Sequence, residues 1–329
     1  MCRQVGQAAP LCKEDAVRPL AIMAASFERI CSVLFDTPHF YHPGKAETLV
    51  RMLGPRLAGV PITIVNGEGG TDHVAFSNGR PSAGLLGDRL GGAYDRAGIA
   101  PFQIVDNVAV IPIEGTLVHK GAWVGSSSGE TSYQGLRTQI SRAKRHPDVK
   151  GVVFEVDSFG GMVNGAFETA ADIRDLSRAK PTISILTDYA YSAGYMMASQ
   201  ARQIIMPRFG GAGSIGVVMM HADYSGHLEQ EGIKVTFIHA GRHKVDGNAF
   251  DPLPERMRER WAAEVETMRE AFAEVVEAGR GRRMKKKAAL DTEADTFDAS
   301  DSVKLGLADA VGDGQEAFEA FIKEVNKRG

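Results

Sequence analysis

Cysteine is nearly absent from this chain. The three present, Cys2, Cys12 and Cys31, all stand near its start. Their number is odd and their spacing fits no metal motif, which excludes a disulfide framework and leaves a reduced, cytoplasmic setting as the expectation. Long apolar runs are missing too: none approaches the roughly 20 residues of a membrane helix. The best leader candidate, residues 20–25, is shorter than the roughly 7–15 residues of a secretory core. The chain is therefore expected to be neither secreted nor held in a membrane by an anchor of its own. Neither sign of charge is in large excess, the net charge being −3, so the charge balance argues for neither nucleic acid nor an anionic membrane as partner. No His-Glu-x-x-His occurs, which speaks against a zinc protease. No Gly-x-Ser-x-Gly elbow and no phosphate-loop lysine pattern are found.

What is there is ordinary globular material. Of 329 residues, 43% are hydrophobic and 7% aromatic, enough for a sizeable core in one large domain or two ordinary ones. Residues 1–19 are polar, with two prolines, and read as a loose arm. Apolar residues at helical spacing (Phe27, Ile30, Cys31, Leu34; Leu49, Met52, Leu53, Leu57) predict helices within 20–58, interrupted by Pro38 and Pro43. Residues 1–65 are thus expected to form a small, mostly helical region. Residues 66–100 are rich in glycine and read as a linker.

From residue 101 the pattern changes. Strands are predicted at 104–105, 108–113, 149–156, 182–187, 203–206, 216–220 and 235–239. Helices are predicted at 134–144, 163–178, 192–201 and 254–279. Strands alternating with helices predict an α/β fold with both sheet faces covered. In the last helix Met257, Trp261, Val265, Met268, Phe272 and Val275 form one apolar stripe, and Gly279 and Gly281 end it. The basic run from Arg280 to Lys287 that follows is expected to be a solvated loop rather than a binding patch.

Chemistry concentrates at a few points. Ser192, in Tyr191-Ser192-Ala193-Gly194, follows an apolar strand and opens a helix, where positive backbone charge collects. It fits a nucleophile or, more blandly, a helix N-cap. Lys244 lies in the glycine-flanked loop Gly241-Arg242-His243-Lys244-Val245-Asp246-Gly247. A lysine accepts a proton only when neutral, and its ordinary pKa is about 10.4. Walls such as Val245, Phe250 and Leu253 would lower it by burial. Ser214, between glycines, is the candidate for aiming the amine. Gly160 and Gly161, read as a strand-to-helix turn, and the amide of Ala193 are the candidate oxyanion donors. Of the nine histidines, His243 is adjacent to Lys244, and an extended segment would point the two side chains apart.

Together these motifs resemble the signal peptide peptidase A (protease IV) family of Ser-Lys serine peptidases, and within it the phage branch of lambda-type capsid assembly, or head maturation, proteases. The resemblance covers roughly residues 104–312. It rests on Val-Ile-Pro-Ile-Glu-Gly-Thr-Leu from Val110, Gly160-Gly161-Met162-Val163, Ser192-Ala193-Gly194, residues 213–217, residues 243–248 and residues 305–308 followed by Val311. It implies a ClpP/crotonase-like fold of repeated ββα units. It also implies Ser192 as nucleophile, Lys244 as base, Ser214 as its orienting hydroxyl and an oxyanion glycine at Gly161 or Gly160. No metal or organic cofactor is expected. The implied assembly is a homo-oligomeric ring in which some relatives pair the serine of one protomer with the lysine of the next. The implied substrates are capsid scaffold and portal proteins, with no nucleic acid and no membrane anchor. Two residues depart from the family pattern: Phe159 stands where proline is usual, and Tyr191 where a small residue is.

Three other readings compete. A cytosolic peptidase of the same family would degrade small hydrophobic peptides with the same residues. A crotonase-type acyl-CoA enzyme would use paired acids and a CoA site. A non-catalytic capsid component would keep the fold and lack the reactivity.

Overall fold

The computed structural model describes residues 38–41, 83–84, 87–121, 123–127 and 129–327. The helices expected within 20–58 and the three cysteines lie outside these residues. The chain divides into two compact units. The described part of one is Met219–Arg260; the other comprises Pro38–Val218 and Trp261–Gly329.

The larger unit begins with β1 (His39–Tyr41), β2 (Ala83–Gly84), β3 (Gly87–Asp88) and α1 (Arg89–Ala97). Residues 89–97 fall in the stretch read as linker, and their helix has local causes. The Asp88 carboxylate accepts from the Gly91 amide at 2.8 Å and caps the helix. Leu90, Ala93 and Tyr94 are buried on one face. Arg142 reaches over to Asp88 and Asp95.

There follow β4 (Gln103–Val105), β5 (Val108–Val118), β6 (Ser126–Ser127), β7 (Glu130–Ser132), α2 (Tyr133–Arg145), β8 (Gly151–Met162), α3 (Ala166–Ala179), β9 (Thr182–Tyr191) and α4 (Ala193–Ala198). β10 (Gln203–Met206) and β11 (Gly211–Gly213) complete this run. The sheet runs β11-β9-β8-β5-β7-β6, its central pairs parallel, and residues Thr296–Asp298 (β12) join it beside β11. The α/β expectation is met.

β5, β8 and β9 are the frame of the unit. Each is longer than its apolar run, because each continues past an irregularity into a second half. The β5/β8 register shifts between Glu114 and Thr116, and the β8/β9 register between Val156 and Ser158. Before the shift, residues point alternately to two covered faces. Ile111, Ile113, Phe154 and Val156 join the main core with helices α2, α3 and α4. Val108, Val153, Ile183 and Ile185 pack against Phe321 and Val325. Both faces are therefore dry, which explains the near-continuous apolar runs. Past the shift β5 and β8 still pair, and the strands gain further neighbours: β7 beside β5, β1 beside β8 and β11 beside β9. A strand, a second strand half and a helix, repeated along the chain, are the expected ββα units.

In the smaller unit α5 (Ser225–Gln230) is followed by residues 231–240, which are exposed and form no strand. The strand expected at 235–239 is thus not formed: its alternating Val235 and Phe237 are 40% and 39% exposed, and among the described residues no strand pairs with this segment. The strand expected at 216–220 is reduced to one bridge, Val218 to His39.

The chain ends with α6 (Glu255–Arg280), α7 (Lys286–Asp291), β12 (Thr296–Asp298), α8 (Ala299–Leu305), β13 (Ala310–Val311) and α9 (Gly314–Lys327). Gly279 is inside α6, not at its end; a Cβ there would lie 2.2 Å from the Ser199 carbonyl oxygen, so the glycine permits close helix packing. The basic run after α6 is not a free, solvated loop. Arg280 is buried and grips Asp309 at 2.8 and 3.1 Å, and Arg283 adds a third contact at 2.8 Å. Lys285, Lys286 and Lys287 pair with Glu277, Glu274 and Asp291. Burial pushes the Asp309 carboxyl up, but its hydrogen bonds and charge attraction to Arg280 outweigh this and hold it below the usual range.

Candidate active site

The second halves of β8 and β9, with β11 beside β9, place Gly160 and Gly161, Ser192 and Ala193, and Ser214 at or just beyond the ends of neighbouring strands. β9 ends at Tyr191 and the chain turns at once into α4. The turn is sharp: Ser192 has φ 54° and ψ −123°. A residue with a Cβ is strained there by about 1–3 kcal/mol, and such strain is held only where surrounding structure enforces it. Ser192 is fully buried, and among the described residues its Oγ has no hydrogen-bond partner.

That disposes of the N-cap reading. Ser132, Asp88 and Asp298 accept amide hydrogens of the helices they precede, from Gly135, Gly91 and Asp301. Ser192 accepts none, although it stands at the same position of α4. A strained, unpartnered serine on a strand-to-helix turn has the shape of a nucleophile elbow, reached without the usual glycine signature.

Neighbouring contacts fix the turn. The Ser192 amide donates to the Gly213 carbonyl at 2.9 Å. Ser214, next along, is 4% exposed and also has φ 54°. Its amide donates to the Asp295 carbonyl at 2.8 Å. Gly194 lies so close to β8 that a Cβ would meet the Ser158 carbonyl oxygen at 2.7 Å. α4 is therefore pinned to the strand that carries Gly160 and Gly161.

Those two glycines are not a turn before a helix, as the sequence suggested, but the last part of β8. The reason is continued pairing: Gly160 and Gly161 face Thr116 and Leu117 of β5 on one side and Tyr41 and Phe40 of β1 on the other. The Gly160 amide donates to Ser158 Oγ at 3.1 Å, and that hydroxyl donates to the Gly115 carbonyl at 2.6 Å. Ser158 was not foreseen; its signal was a polar residue at the end of an apolar strand. Phe159 and Tyr191, the two departures from the family pattern, meet. With Tyr189 they form an aromatic cluster with ring centroids 5.3–5.5 Å apart.

Lys244 belongs to the smaller unit and is exposed, in the turns of residues 242–247. Of the apolar walls expected around it, Phe250 lies against Phe237, with ring centroids 6.0 Å apart, and is 41% exposed. His243, in the same turn, contacts Asp246 at 2.7 Å, and Arg256 binds that carboxylate with two 2.9 Å contacts. Hydrogen bonds from Arg256 first, then His243, hold the Asp246 carboxyl below its usual range. Among the described residues no cluster of His, Cys, Asp or Glu could hold a metal ion, and no helix is long and apolar enough to cross a membrane.

The model of peptidase family S49 matches residues 174–328, a span that includes Ser192, Ser214 and Lys244. These residues form a peptidase S49 domain. It is 32% identical to capsid assembly protease C of Escherichia phage lambda, over 91% of this chain and 66% of the relative. It is 31% identical to head-tail preconnector protein GP5 of Enterobacteria phage P21, over 92% of this chain and 59% of that protein. The chain thus spans roughly three fifths to two thirds of the length of these phage relatives. Protease 4 of Haemophilus influenzae is 26% identical over 69% of this chain. Among solved structures, an enoyl-CoA hydratase from Shewanella pealeana aligns with 68% of this chain and 72% of its own at 12% identity, with a TM-score of 0.39. That similarity adds nothing to the architecture read from the strand ladder.

Proposed function

We propose that this protein is a serine endopeptidase that acts on scaffold and portal proteins during phage head assembly. One observation carries the chemistry: Ser192 is buried, strained and free of any capping bond. The Oγ attacks the scissile carbonyl and the peptide nitrogen leaves with a proton, giving an acyl-serine ester that water then hydrolyses. Lys244, of the same chain or of a neighbouring copy, is the base that takes the serine proton and returns it to the leaving amine. Ser214 orients it. The amides of Gly161 and Ala193 receive the oxyanion, since that of Gly160 already donates to Ser158. The substrate class is supported by the two phage head proteins, which each match over 90% of this chain.

A fluorophosphonate probe tests the chemistry. It is expected to label the protein at Ser192 and to stop cleavage of a co-expressed scaffold or portal protein from the same phage. Labelling without cleavage of either protein, but with hydrolysis of short apolar peptides, would replace the capsid role by peptide degradation. No labelling would leave a non-catalytic capsid component.

A further inference from the structure

β8 pairs with β9 only as far as Ser158, opposite Ala190. Beyond that point β9 turns away into α4 at Ser192, while β8 runs on to Met162. One edge of this extension is covered by β5, through Gly161 opposite Leu117. The other edge is the one β9 vacates, immediately beyond the candidate nucleophile. A polypeptide approaching Ser192 along the sheet has this edge to pair with, and strand addition to such an edge is a general mode of peptide recognition.

The chain's own residues already lie there. β1 runs antiparallel to β8, with His39, Phe40 and Tyr41 opposite Met162, Gly161 and Gly160. On its far side the His39 amide donates to the Val218 carbonyl, and the Val218 amide to the His39 carbonyl, both at 2.8 Å. His39 is fully buried. Because successive residues of a strand direct their amides to opposite sides, the backbone of Phe40 is turned to Gly161. β1 is thus gripped from both sides, and it engages the glycine proposed as an oxyanion donor. It is only three residues long, so few ladder bonds have to break for it to leave.

We infer that His39–Tyr41 is an intramolecular occupant of a peptide-strand slot, which blocks the site until it is displaced by a substrate strand. This inference rests on the serine-peptidase reading above and adds a self-blocking state to it.

The test locks the occupant in place. Cysteines at His39→Cys and Val218→Cys face each other across a hydrogen-bonded antiparallel pair, where Cα atoms are about 5.5 Å apart and within disulfide reach. They are introduced into the full chain with Cys2, Cys12 and Cys31 changed to serine. Peptide turnover and fluorophosphonate labelling are then followed before and after reduction. Turnover is expected to be at least about tenfold lower in the oxidised form and to recover with dithiothreitol, as when the open fraction controls apparent affinity. Equal turnover in both forms, with the disulfide confirmed by mass, would overturn the inference. So would a failure of the cysteines to join. No labelling of Ser192 in the reduced chain would overturn the serine-peptidase reading itself, and the inference with it. In the otherwise native chain, Phe40→Pro removes an amide facing Gly161 and is expected to raise turnover at low peptide concentration about tenfold, while Phe40→Ala leaves the backbone pairing and the rate near wild type.

Discussion

The amide of Ser192 donates to the carbonyl of Gly213 at 2.9 Å. That single bond places Ser214 one residue from the partner of the candidate nucleophile, and ties the turn at the end of β9 to β11. The two serines share a positive φ of 54° and burial, so their geometry is set by the same ladder.

Replacing Ser192 separates chemistry from folding. Ser192→Ala deletes a hydroxyl that has no partner among the described residues, so stability is expected to change by less than about 1 kcal/mol while turnover is lost. Ser192→Gly relieves the strained backbone and is expected to add about 1 kcal/mol, also without activity. Urea unfolding and peptide hydrolysis measured on both variants check this; a Ser192→Ala protein with near wild-type turnover would exclude the nucleophile.

Lys244→Ala is expected to abolish cleavage with the fold intact, and Ser214→Ala to be milder, because it removes only an orienting bond. Mixing inactive Ser192→Ala and Lys244→Ala chains under subunit exchange tests a site shared between copies. Recovered activity is expected if one protomer's serine uses the next protomer's lysine.

Gly194→Ala puts a methyl 2.7 Å from the Ser158 carbonyl oxygen. α4 then has to move off β8 and take Ser192 with it. The expected cost is about 1–3 kcal/mol of stability, with a loss of fluorophosphonate labelling larger than that loss of folded protein explains. Circular dichroism and probe labelling on one sample separate the two.

Asp309→Asn leaves the buried Arg280 guanidinium without its counter-charge, and is expected to destabilise the protein by about 3 kcal/mol at pH 7. The Asp309 carboxyl sits below its ordinary range when folded. Its contribution is therefore complete above the unfolded value of about 3.9, and fades as pH falls through the lower folded value. Urea titrations of both proteins are expected to show the gap narrowing below about pH 4 and constant from pH 5 to pH 8.

The central strands and the helices of the larger unit were legible because burial on both faces writes long apolar runs, as in β8 and β9. What was not legible depended on partners far away in sequence. β8 extends through Gly160 and Gly161 because β1 and β5 pair with it there, and no local pattern announces a pairing of His39 with Met162. Residues 235–239 alternate like a strand, but alternation says nothing of whether a neighbour exists. α1 hid in a glycine-rich stretch because its supports, Asp88 and Arg142, are 54 positions apart. The serine at the helix mouth could be named from its neighbours; its strain and its missing cap could not.

The register shifts in the long strands have a mechanical meaning. They act as expansion joints. Upstream of them, layers such as Val153 against Phe321 can be repacked, and the resulting displacement is absorbed where the ladder is already irregular, between Val156 and Ser158. Downstream, Gly160 is tied to Ser158, and Ser192 to Gly213, by hydrogen bonds of their own. Insertions and core substitutions before the joint should therefore be tolerated by the chemistry far better than single-residue changes after it, and random mutagenesis scored separately for solubility and cleavage would draw that line across the middle of β8.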